Sequence, residues 1–191
     1  VPDVADWRRF RRAVLPLAPW VFAAPTIGFV TLPGLVRGLD ELRTVYAGVA
    51  TAVVPAAGLL IQPLARRLAV RHRLAAAVSG PAVVALGFLL AAPAAAAGAP
   101  VLSLVAAVIF GAGYGLLLTF CLTEVAAVAP PHHLARVTSL FWTAAYLGMF
   151  APYAVTLLSG AFAVFTLMCA GAGLAVLTCG AAATLARRDA R

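Results

Sequence analysis

Lysine and asparagine are absent from the 191 residues, glutamine occurs once, and only six side chains are acidic. Charged residues make up 10% of the chain, against about 25% in soluble domains. A water-soluble fold of this length would be left with apolar patches far beyond the few hundred Å² that a monomer exposes. Three cysteines, Cys121, Cys169 and Cys179, lie in apolar runs without a Cys-x-x-Cys pair and read as small hydrophobes. His132 and His133 are adjacent, pointing about 100° apart on a helix, and no carboxylate stands at ligand spacing, so no metal site is expected. Catalytic-triad and phosphate-loop patterns are also missing; neither a cofactor nor an enzymatic activity is expected. Nor is there the alternation of apolar and polar residues that a membrane β-barrel needs.

What remains is 64% hydrophobic, with a mean hydropathy of +1.03. Uncharged segments run over 13–36, 44–65, 74–97 and 99–123, followed by a long stretch that Ser159-Gly160 divides into 137–158 and 161–186. At 1.5 Å per residue, about 20 residues cross a hydrocarbon core of about 30 Å. The expected fold is an all-α integral membrane protein of six transmembrane helices. A basic segment, 1–12, precedes the six-helix domain, 13–186, and a basic tail, 187–191, follows it.

Arginine supplies the topology. With the amino terminus inside, twelve arginines fall on the inner side (Arg8, Arg9, Arg11, Arg12, Arg66, Arg67, Arg71, Arg73, Arg136, Arg187, Arg188, Arg191) and two, Arg37 and Arg43, on the outer side. That asymmetry predicts cytoplasmic termini in a multi-pass protein of the cell's inner (plasma) membrane. The net charge of +8 is therefore read as topology and attraction to anionic lipid, with no nucleic-acid partner. Asp40 and Glu41, between Arg37 and Arg43, read as a solvated outer loop. The first span begins like a signal peptide, yet its apolar part is longer than such a segment, so it is expected to stay uncleaved.

GLLIQPLARR, from Gly58 to Arg67, ends the second span. It resembles the cytoplasmic signature of the major facilitator superfamily, Gly-x-x-x-Asp-Arg-x-Gly-Arg-Arg/Lys, at Gly58, Arg66 and Arg67, and differs from it at Gln62, Pro63 and Ala65. The stretch LTEVAAVAPPHHLARVTSLFWTAAYLGMFAPY is similar to the connection between the tenth and eleventh helices of bacterial members. The resemblance implies the carboxy-terminal six-helix half of such a transporter, built of two three-helix repeats. It implies alternating-access transport of a small organic substrate, completed by an amino-terminal half or a second copy. The competing reading is a six-helix membrane module that transports nothing, a scaffold or an inactive remnant.

The resemblance also implies that the first, second, fourth and fifth helices line a central cavity. Trp20, Phe22, Phe29, Tyr114, Thr119, Trp142, Tyr146 and Tyr153 lie on that set and suggest aromatic walls. Alternatively, Trp20 and Trp142 are interfacial anchors and the tyrosines bond within the bundle. Gly111 and Gly115, four apart, are expected to let two helices approach closely. The prolines Pro25, Pro55, Pro81 and Pro152 each remove a backbone bond. No Asp, Glu, Lys, Arg or His falls at mid-membrane depth, which leaves this chain without a candidate proton carrier of its own. Glu124 ends the fourth span, where the helix dipole calls for a basic partner. The sequence offers Arg136 for it, or Arg66 and Arg67. Gly58, Gln62, Arg66, Arg67, Glu124 and Arg136 are thus candidates for a cytoplasmic gate or anchor.

Overall fold

A computed structural model describes residues 6–188, with side chains to residue 186. Among the described residues every regular element is helical, and six helices are long and apolar enough to cross a membrane. They are α1 (Trp7–Leu35), α2 (Asp40–Arg71), α3 (Arg73–Ala97), α4 (Pro100–Val128), α5 (Leu134–Leu158) and α6 (Val164–Arg188).

Asp6 starts α1: its Oδ1 accepts the Arg9 backbone N–H at 3.0 Å, as an N-cap does. Two π turns, Phe10–Val14 and Ile27–Thr31, interrupt α1, the first just before Pro16 and the second just before Leu32-Pro33. Proline offers no donor to the helical ladder, so a wider turn beside it relieves a backbone that cannot bond regularly. Near Pro25 the Thr26 hydroxyl donates to the carbonyls of Phe22 (2.7 Å) and Ala23 (3.1 Å). The fifth helix changes pitch in the opposite sense, through a tighter 3-10 turn at Leu147–Phe150 ahead of Pro152. By contrast, Pro55 and Pro81 sit inside uninterrupted α-helix.

One residue, His72, joins α2 to α3. At the opposite end Gly98 adopts the left-handed conformation (φ 64°) that stops α3, and Pro100 opens α4. Several helices run farther than the uncharged segments. The first takes in Arg8 to Arg12 and buries Phe10, so from Trp7 onward the basic segment is part of the helix. The second continues to Arg71. Arginine ends an uncharged count without ending a helix, because its long apolar stem lies along the helix while the guanidinium reaches polar surroundings.

The fourth helix is the hub: α1, α2 and α3 pack on it, α6 packs on α3, and α5 rests on α1. Close approach replaces hydrophobic drive here, since lipid is as apolar as leucine. A side chain at Gly111 would strike the Val54 carbonyl, and one at Gly115 the Gly58 carbonyl, so α2 and α4 touch backbone to backbone. Half of the apolar stretch is buried in α3 and α4 (50% each), but only 22% in α2 and in α5. Leu60 and Val70 of α2, and Phe150 and Tyr153 of α5, face outward.

Candidate functional site

Phe22 stands at the centre of an aromatic cluster drawn from three helices. Its ring stacks on Tyr146 of α5 at 5.1 Å and on Tyr114 of α4 at 6.4 Å, and lies 6.0 Å from Trp142. Glycine makes this possible. A Cβ at Gly148 would collide with the Pro19 carbonyl, so α5 meets the backbone of α1 just after Tyr146. Beside the cluster is a cavity of about 250 Å³ between α1, α2, α4 and α5, walled by Phe22, Phe29, Thr51, Pro55, Tyr114 and Met149 among others.

The cavity's chemistry is narrow. Its lining carries no carboxylate, guanidinium or imidazole. Thr26 spends its hydroxyl on α1 carbonyls, and Thr51 donates to Ala47 O at 2.8 Å. Tyr114 hydroxyl makes no hydrogen bond among the described residues, which leaves it as the polar handle on an otherwise apolar wall.

A second constellation closes the arginine-rich end. Glu124, with 4% of its side chain exposed, accepts four hydrogen bonds from two arginines. Arg9 of α1 reaches its Oε2 through Nε at 2.9 Å and its Oε1 through Nη2 at 3.1 Å. Arg73 of α3 reaches Oε1 through Nε at 2.8 Å and Oε2 through Nη2 at 3.1 Å. Both guanidiniums present the two-pronged edge that fits a carboxylate, and together they satisfy a charge that could not otherwise be buried. The Asp6 N–H donates to Val128 O at 3.0 Å, which fixes the start of α1 to the end of α4 and sets Arg9 in reach.

The arrangement of six lipid-length helices, glycine-packed around a central fourth, has a counterpart in sequence. Residues 3–152 match the family model described as Major Facilitator Superfamily. The chain belongs to the Major Facilitator Superfamily. Membrane transport is what that membership implies in general. No curated protein and no solved structure matches the chain.

Against this major facilitator frame, the residues singled out from sequence separate into groups. Phe29 and Tyr114 line the cavity, and Trp142 and Tyr146 join the Phe22 cluster next to it. Trp20 does not belong with them. Its indole N–H donates to Thr178 Oγ1 of α6 at 3.1 Å and its ring packs edge-on against Phe88 of α3, so it fastens α1 to the other side of the bundle. Thr119 and Tyr153 are not among the lining residues. The gate candidates divide as well. Gly58 is a packing residue, with Gly115 against its carbonyl. Glu124 is paired, but with Arg9 and Arg73 instead of Arg136 or the Arg66–Arg67 pair. The guanidinium of Arg136 lies 5.7 Å from the centre of the Trp7 ring. Gln62, Arg66 and Arg67 make no side-chain hydrogen bond or ion pair among the described residues, and both arginines are exposed. Order along the chain did not single out the partners: Arg73 starts α3, which is next to α4 in sequence, but Arg9 comes from α1, 115 positions away. Arg187, Arg188 and Arg191 lie outside the described side chains.

Proposed function

We propose that this chain is one six-helix half of a transporter that moves a small apolar or amphipathic organic molecule by alternating access. The observation that carries the reading is the aromatic cavity. Stacked rings of Phe22, Tyr114 and Tyr146 supply flat apolar surface, and the Tyr114 hydroxyl supplies one polar contact. At about 250 Å³ the cavity is just under the 300–1,000 Å³ usual for small-molecule sites. That suits one wall of a cavity whose other wall is a second six-helix unit, an amino-terminal half or another copy of the chain. The exposed apolar faces of α2 and α5 support the same reading, since both flank the cavity.

In this scheme the membrane is the plasma membrane and both termini are cytoplasmic, as the arginine distribution favours. The Glu124 clamp then lies on the cytoplasmic side and ties the ends of α1, α3 and α4 into one block. A rocking half moves as a body only if its helix ends stay together. Arg66 and Arg67, exposed at the end of α2, serve as the anchor, and any contact that they make is with the opposite half or with lipid headgroups.

The test is uptake of fluorescent amphipathic compounds into everted membrane vesicles carrying the protein. Transport that Tyr114→Ala and Phe22→Ala abolish, at unchanged protein levels, is expected. A chain that assembles in the membrane yet transports no compound in a broad panel, with or without a second half, would sink the proposal.

A further inference from the structure

At the end of the bundle opposite the Glu124 clamp, a cavity of about 490 Å³ opens between α1, α2, α3 and α6. Its rim holds Arg37, just past α1, and Arg43, in the first turn of the α-helical part of α2. Its floor is apolar, formed by Ala96 at the end of α3 and by Val164 and Phe165 at the start of α6. In sequence the segment RGLDELR is neutral, and pairing of its own charges would leave nothing over. The fold separates those charges. Asp40 and Glu41 do not line the cavity, and neither forms an ion pair with Arg37 or Arg43 among the described residues.

Arg37 is held in place. The Arg37 backbone N–H donates to Gly98 O at 3.0 Å, and its stem lies over Gly98 so closely that a Cβ there would come within 2.6 Å of Cγ. Arg43 follows the 3-10 turn Asp40–Leu42 directly, and its side chain is exposed. Two guanidiniums thus stand at one opening. The cavity stands where two lipid-length helices, α1 and α6, end and begin, and Phe162 and Phe165 present exposed rings there.

We propose that this cavity binds the phosphodiester headgroup of an anionic phospholipid. The phosphate is forked by Arg37 and Arg43, and an acyl chain lies along the apolar floor toward α6. A soluble anion shares the phosphate chemistry but has no use for that floor, and a zwitterionic lipid has the chain without the net charge.

The experiment uses the whole chain in mild detergent with a tryptophan introduced by Phe165→Trp. Quenching is measured by brominated-chain phosphatidylglycerol and by brominated-chain phosphatidylcholine, each relative to the parent protein. Phosphatidylglycerol is expected to quench at lower concentration. Arg37→Gln with Arg43→Gln is expected to lower that preference by at least about tenfold, the worth of one hydrogen bond to a charged group. Arg66→Gln with Arg67→Gln, at the other end, leaves it unchanged. Gly34 lines the same cavity, and a Cβ there meets no atom within 4 Å; Gly34→Leu fills the space and is expected to block the lipid without removing charge. Equal quenching by the two lipids overturns the proposal, as does a preference that survives both cavity variants. Displacement of phosphatidylglycerol by excess glycerol phosphate overturns it too, by showing a free-anion site.

Discussion

Arg73 lies 51 positions before Glu124, yet its Nε stands 2.8 Å from Glu124 Oε1. Arg9, 115 positions away, grips the other oxygen at 2.9 Å. A carboxylate at the end of one transmembrane helix thereby holds two others. Glu124→Gln keeps the shape and removes the charge, leaving two guanidiniums facing a neutral amide. The arginines left behind are 32% and 30% exposed, so the expected loss is about 1.5–3 kcal/mol, that of hydrogen bonds to a charged group. Thermal unfolding in detergent measures it. Arg136→Gln, which removes only a cation–π contact, should cost about 0.5–1 kcal/mol; equal losses for the two variants would contradict the clamp.

Backbone contact between α2 and α4 gives a second prediction. Gly115→Val forces those helices apart at the Gly58 carbonyl and is expected to cost about 1–3 kcal/mol, typical of overpacking. Gly173, inside α6, where a Cβ meets nothing within 4 Å, provides the control: Gly173→Ala should leave the unfolding temperature unchanged or raise it slightly. Similar behaviour of the two variants would remove the packing argument.

The cavity residues separate binding from stability. Tyr114→Phe removes the hydroxyl and keeps the ring, so affinity for a transported compound should fall by a factor of about 2–10, the worth of one hydrogen bond. Trp20→Phe breaks the bond to Thr178, on the far side of the bundle, and should lower stability while sparing affinity. An affinity loss that follows Trp20 and not Tyr114 would relocate the site.

Orientation yields the last prediction. A cysteine at Gly38, in the loop between α1 and α2, is expected to react with an impermeant thiol reagent added to intact cells, and one introduced at Arg66 is expected not to. The reverse pattern would turn the protein over and place the Glu124 clamp outside.

Six spans, their approximate limits and the charge asymmetry were legible in the chain, because each depends on local composition alone. The Gly111–Gly115 spacing was legible too, since residues four apart share a helical face wherever the helix packs. Trp20 and Glu124 were not. Trp20 shares its helix with Phe22 and Phe29, but which way a ring points depends on rotation of α1, and two π turns alter that rotation. For Glu124, four arginines lie at the start of α1 and four more surround the α2–α3 junction, and nothing in their order marks Arg9 and Arg73.

The sequence by itself determined that this protein lives in lipid, how many times it crosses, and how its arginines divide between the two ends, since transfer free energy is counted residue by residue. Tertiary structure alone decided which charges meet. It carried Arg9 and Arg73 to one carboxylate, and set Arg37 and Arg43 on a cavity that their neighbours Asp40 and Glu41 do not line. Electrostatic pairing acts over a few ångströms through space, and which helix ends come that close is set by packing, whether the helices are consecutive, as α3 and α4, or far apart in the chain, as α1 and α4.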